Sequence, residues 1–320
     1  MLLLTAIIWG FAFVAQRVGA AYVGPFTFNG VRFALGSLSL VPVILFCNGN
    51  KSSSDKSSPR SMSSPRESPG GVPDRGSLRA VFPAGLIAGL VLFAGASLQQ
   101  AGLVYAGTTA GKAAFITGLY IVLVPLLGIF LKKRIGLSSW LGAMVALLGL
   151  YFLCIKQDFS ISHGDLLELA GAFFWTGHIL LIDHFTNKKV PALKLACTQY
   201  AVCSMLSLTA ALVFETITPA GLREAAIPIL YGGVLSVGIA YTLQIFGQKH
   251  AQPAPAAIIL SLETVFAALG GAVLLHESLA ARGILGCVLM FAGMLLSQLQ
   301  AFKLAGRREI AAGAAGSEEA

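Results

Sequence analysis

Apolar residues in this chain run on without interruption for about 20 residues at a time, with Gly and Ala throughout and without the alternation of barrel strands. Wound as an α-helix at 1.5 Å per residue, a run of that length covers roughly 30 Å of hydrocarbon. Ten runs stand out, at 2–20, 26–46, 81–105, 108–131, 137–155, 165–184, 193–214, 226–249, 254–275 and 281–302. They predict an all-α polytopic membrane protein of ten transmembrane helices. No segment between them is long enough to form a separate domain. No basic stretch precedes Leu2, so the first run reads as a span and not as a signal peptide.

Composition agrees with this pattern. Hydrophobic residues make up 56% of the chain and charged residues 11%, whereas a soluble domain carries about a quarter charged residues. Basic residues accumulate in cytoplasmic loops, so their positions orient the helices. With both termini inside, sixteen of the twenty-two Lys and Arg residues fall on the cytoplasmic side, in loops such as Lys132–Arg134 and Lys188–Lys189. Arg17, Arg32 and Lys112 lie within helices near the outer face, and Lys156, Arg223 and Arg282 lie outside. The net charge of +8 is therefore a signal of topology in a plasma (inner) membrane, not of nucleic-acid binding. Five scattered cysteines form no CxxC pair and read as small buried residues.

The sequence repeats itself. A shift of 144 residues pairs Gln100 with Gln244, Leu141 with Leu285, Gly142 with Gly286 and Gly149 with Gly293. A shift of 166 pairs Ala6 with Ala172 and Trp9 with Trp175. The excess of 22 residues falls in the Ser/Pro-rich stretch, which is expected to be a disordered cytoplasmic loop at 48–78. The chain thus divides into a first five-helix repeat at 1–155, a second at 156–302 and a cytoplasmic tail at 303–320. Five is odd, so the second repeat enters the membrane from the opposite side. Inverted repeats of this kind are the architecture of alternating-access transporters.

Four segments carry a family resemblance: LLLTAIIWGFAFVAQRVG at 2–19, VGPFTFNGVRFALGSLSLVPV at 23–43, LQQAGLVYAGTTAGKAAFITGLYIVLVPLLG at 98–128 and AAIILSLETVFAALGGAVLLHESL at 256–279. In these the chain resembles the EamA-type transporters of the drug/metabolite transporter superfamily. The resemblance implies ten helices with cytoplasmic termini, a central substrate cavity, and export of amino acids or other small metabolites by exchange or a proton gradient. Two departures stand out. Thr264 follows Glu263 where the family pattern carries proline, which predicts a straighter ninth helix, and the loop after the second helix is long.

Ionisable groups deep in a bilayer are functional candidates. Glu263 lies about eight residues, or roughly 12 Å, into the ninth helix. Either a neighbouring helix satisfies it or it binds a proton or a cationic substrate group. Arg32 and Lys112 either snorkel to the outer headgroups, hold a substrate carboxylate, or pair with Glu168 or Asp165. Snorkelling is preferred for Arg17, and Asp183 and His184 belong to the inner interface. Gln16, Asn29, Gln99, Gln100, Thr117, Tyr120, His178, Gln199, Tyr241 and Gln244 can tie helices together or line a cavity. Gln100 and Gln244, like Trp9 and Trp175, gain weight as symmetry mates. The site expected from these choices is a midplane cavity around Glu263, with Gln100, Tyr120, Tyr241 and Gln244, and with Arg32, Lys112, Trp9, Trp175 and His178 as further candidates.

Gly85 with Gly89 and Gly107 with Gly111 have the small-xxx-small spacing of close helix packing. GxxxxGK[ST], HExxH and GxSxG are missing, so neither a nucleotide, a metal nor another cofactor is expected. The expected partners are a small-molecule substrate, the lipid bilayer and a coupling proton or exchanged solute. Two other classes remain. An intramembrane enzyme or lipid-processing protein would need a dyad such as His178 with Glu263, and a non-transporting scaffold would need a sizeable soluble domain.

Overall fold

The structure is a computed structural model that describes residues 1–54, 78–104, 110–132, 135–154, 162–274, 280–297 and 299. Regular structure among them is helical throughout. In chain order the helices are α1 (Leu2–Gly19), α2 (Pro25–Ser54), α3 (Leu78–Val104), α4 (Ala110–Gly118), α5 (Tyr120–Phe130), α6 (Leu137–Cys154), α7 (His163–Asn187), α8 (Ala192–Phe214), α9 (Pro219–Glu224) and α10 (Ala226–Leu230). A π-helical segment at Tyr231–Tyr241 leads into α11 (Thr242–Gln248), followed by α12 (Pro253–Leu260), α13 (Glu263–Leu274) and α14 (Ala281–Ser297). Among the described residues eight spans are long and apolar enough to cross a membrane, and α6 and α14 supply two shorter apolar helices. Large apolar side chains such as Phe46, Phe130, Leu212, Ile227 and Val273 stand exposed on the outside, where only lipid can cover them favourably.

Several helices differ from the uninterrupted runs that the apolar pattern predicts. The fourth run breaks at Leu119, where Leu119 N–H turns back to the Ile116 carbonyl and Val122 N–H to that of Leu119. The ninth run breaks at Ser261–Leu262 although no proline follows Glu263, which overturns the expectation of a straighter helix. The Ser261 hydroxyl donates to the Ile258 carbonyl at 2.8 Å and competes with the helical ladder, a known cause of bending. Under the 144-residue shift the two breaks fall within two residues of each other. The eighth run is wound as a π-helix for 11 residues. The second continues as backbone helix to Ser54, into the expected loop, whose remaining residues 55–77 lie outside the described ones.

Packing follows the small residues. A Cβ built on Gly85 would fall 2.5 Å from Thr198, and one on Gly89 2.7 Å from Val202, so this glycine pair seats α3 against α8. Gly107 lies outside the described residues. A second glycine seam joins α6 to α14. A Cβ on Gly142 would lie 2.6 Å from the Gly293 carbonyl oxygen, and one on Gly149 2.6 Å from that of Gly286. The reverse distances are the same, and the pairing order is reversed along the two helices, so they cross antiparallel, backbone on backbone. At the end where α8 finishes, Glu215 caps α2 by accepting hydrogen bonds from Phe26 N (2.7 Å), Thr27 N (2.8 Å) and the Thr27 hydroxyl (2.6 Å).

Candidate functional site

The breaks and the π segment converge on one narrow cavity of about 30 Å³. Trp9 and Gln16 of α1, Arg32 of α2, Gln99 of α3, Thr117 of α4, Tyr120 of α5, Trp175 of α7, Ser236 and Tyr241 of the π segment, Gln244 of α11 and Glu263 of α13 line it. Glu263 is the first residue after the break in the ninth run. Its Oε1 accepts a 2.8 Å hydrogen bond from the Tyr120 hydroxyl, the first residue after the break in the fourth run. The Thr264 hydroxyl donates to the Ala114 carbonyl at 3.1 Å and fixes the break against α4. Two discontinuous helices thus present their interrupted turns to each other across the cavity.

Tyr241 is the hub of the aromatic wall. Trp9 meets it at a centroid distance of 4.5 Å, tilted by 59°, and Trp175 stacks on it at 6.0 Å and 27°. Phe33 and Tyr200 lie behind it at 5.9 and 6.1 Å. The Trp9 Nε1–H donates to the Ser236 carbonyl, whereas Trp175 Nε1 has no partner among the described residues. Gln16 Oε1, Gln244 Oε1 and Arg32 Nε are likewise buried without partners. The lining therefore holds both unused donors and unused acceptors.

Seven of the ten expected site residues line this cavity: Glu263, Tyr120, Tyr241, Gln244, Arg32, Trp9 and Trp175. Gln100 does not. Its amide donates to the Gln16 carbonyl at 3.2 Å, and its neighbour Gln99 takes the lining position. His178 is buried behind the wall, bonded through Nε2 to Gln199 Oε1 at 3.0 Å and edge-on to Trp175 and Tyr241. With Glu263 engaged by Tyr120, the His178–Glu263 dyad is not assembled. The Lys112 side chain lies outside the described ones. Arg32 does not snorkel: it is 1% exposed, with its guanidinium 5.4 Å from the Phe28 ring centroid and 5.1 Å from that of Phe33. Glu168 does not pair with it. That carboxylate accepts from the Thr117 hydroxyl at 3.2 Å, and Thr117 accepts from Gln99 Nε2 at 3.1 Å. Ser236 was not expected, because a lone serine in an apolar run gives no signal of which way it faces.

A wider space of about 400 Å³ opens where α5, α7 and α11 end and α12 begins, lined by Asp183, Asn187, Gln248, Lys249 and Gln252 among others. Little separates it from the cavity. Gln248 on its wall donates to the carbonyl of Ile179 at 3.0 Å, and Ile179 lines the cavity. Among the described residues no group of three or more metal-ligating side chains forms.

Comparison with known proteins agrees with this architecture. An Archaeoglobus fulgidus protein described as an uncharacterized transporter is 28% identical over 301 residues, covering 93% of this chain and 85% of that protein. The Bacillus subtilis uncharacterized transporter YoaV is 23% identical over 297 residues, covering 91% and 93%. A solved crystal structure, 19% identical, matches 95% of this chain and 97% of its own with a TM-score of 0.72, which shows a shared fold. The model of the EamA-like transporter family matches residues 1–155 and 162–299. This multi-pass membrane protein belongs to the EamA-like transporter family.

Proposed function

We propose that the chain is a secondary transporter that exports small metabolites, amino acids or related compounds, by alternating access between two inverted five-helix halves that span the membrane ten times. The observation that carries this reading is Glu263, a carboxylate 4% exposed at a helix break inside the central cavity. Interrupted helices at a site between repeats are how transporters expose backbone and side chains to substrate within a bilayer. The α6–α14 seam supports the inversion, because the helices paired by the 144-residue shift run antiparallel there. Both termini are assigned to the cytoplasm and the chain to the plasma membrane, on the basic-loop distribution. The wider space then opens to the cytoplasm, the side from which an exporter loads. Glu263 binds and releases a proton, or a cationic substrate group, as the cavity changes sides.

Glu263→Gln keeps the shape and much of the hydrogen bonding and removes the titration. In liposomes the purified variant is expected to lose accumulation against a gradient and to retain exchange. Accumulation equal to wild type, with the same pH dependence, would remove Glu263 from this role.

A further inference from the structure

Arg32 holds a charge that its surroundings do not balance. Guanidinium stays protonated in proteins, and a charge in a membrane interior is normally paired. Here the side chain is 1% exposed and its Nε has no partner among the described residues, while the carboxylates of Glu263 and Glu168 are bonded to Tyr120 and Thr117. Phe28 and Phe33 offer ring faces but no anion. The π segment packs on the stem: a Cβ at Gly232 would fall 3.2 Å from Arg32 Cδ. The side chain is thereby held at the cavity it lines. A second unused donor, Trp175 Nε1, belongs to the ring stacked on Tyr241.

We infer that Arg32 is the docking point for a carboxylate on the transported molecule, received beside Tyr241 with the Trp175 N–H as a further donor. A planar guanidinium matches a carboxylate with two parallel hydrogen bonds. One fixed positive charge neutralises one carboxylate, whereas a doubly charged phosphate would leave a charge unbalanced in the same lipid-embedded cavity. The aromatic wall of Trp9, Trp175 and Tyr241 receives an apolar body. This assignment rests on the transporter reading of the same cavity.

The test is thermal unfolding of the purified protein in detergent with acetate and phenylacetate against acetamide and phenylacetamide, their neutral amides. The carboxylates are expected to raise the midpoint of wild type, as any ligand bound only by the folded state does, and the amides to leave it unchanged. Arg32→Gln should weaken carboxylate binding about 10- to 100-fold, and Arg32→Lys, which keeps the charge without the fork, by less. Without ligand, Arg32→Gln should unfold at the wild-type midpoint or above, because an unbalanced charge has left the interior. Equal effects of acids and amides, equal responses of wild type and Arg32→Gln, or no response to any carboxylate would each overturn the assignment. Counterflow in liposomes separates the two claims. Arg32-dependent binding without counterflow leaves the docking site standing and removes transport, and counterflow of the amides that ignores Arg32 does the reverse.

Discussion

Successive residues of a helix point about 100° apart, and the exchange of Gln100 for Gln99 in the cavity lining turns on that angle. The internal repeat marks Gln100 and Gln244 as equivalent, yet only Gln244 reaches the cavity, because Gln100 is spent on the Gln16 carbonyl. Glu263, by contrast, is legible from sequence: depth in an apolar run and a charge that lipid cannot solvate identify it without any neighbour being known. Arg32 was legible as a charge but not in direction, since snorkelling and burial differ only in what the surrounding helices leave open. Gln248 shows what one amide can control. Its 3.0 Å bond to the Ile179 carbonyl is the polar tie between the cavity wall and the wider space below it. Gln248→Leu loses that bond, worth about 1 kcal/mol, without leaving a charge behind. A cysteine at Ser236 should then react several-fold faster with a thiol reagent applied from the Gln248 side, with the folded yield unchanged. Unaltered reactivity would place the barrier elsewhere.

Helices as elements were readable because a lipid solvent demands long apolar runs, and boundaries such as 193–214 against Ala192–Phe214 agree closely. What the runs conceal is their internal winding. The π stretch at Tyr231–Tyr241 and the breaks at Leu119 and Ser261–Leu262 leave hydrophobicity unchanged, so no periodicity announces them. At the ninth-run break the side chains of Ser261 and Thr264 bond to carbonyls. Glycines were visible as letters, but their partners were not. Gly149 and Gly177 show the contrast. A side chain at Gly149 drives into the Gly286 carbonyl 2.6 Å away, whereas one at Gly177 meets nothing nearer than Val91 at 3.8 Å. Gly149→Val is expected to cost about 3 kcal/mol or more by overpacking. Gly177→Ala should be neutral or gain up to about 1 kcal/mol of helix propensity. Thermal midpoints in detergent would order them, and equal midpoints would show that α6 and α14 part easily.

For the whole molecule, membrane residence, helical class and family were all within reach of the sequence, because each is repeated over nearly its full length. Sidedness rests on a different signal, the basic loops, and has its own check. Single cysteines at Ser57 and Arg223 in a cysteine-free background should divide under an impermeant thiol reagent on intact cells, with Arg223→Cys labelled and Ser57→Cys protected. Labelling at Ser57 would reverse the orientation. The antiparallel glycine seam carries one more implication. Gly142 faces Gly293 and Gly149 faces Gly286, so the contact maps onto itself when the two halves are exchanged. A surface with that property is isologous: two copies of one half, set in opposite orientations, would present each other with the same glycines and the same carbonyls. On the inverted-repeat reading, this seam gives a single polypeptide the form of a dimer between equals, whereas the cavity breaks that equality, with Arg32 on the first half and Glu263 on the second.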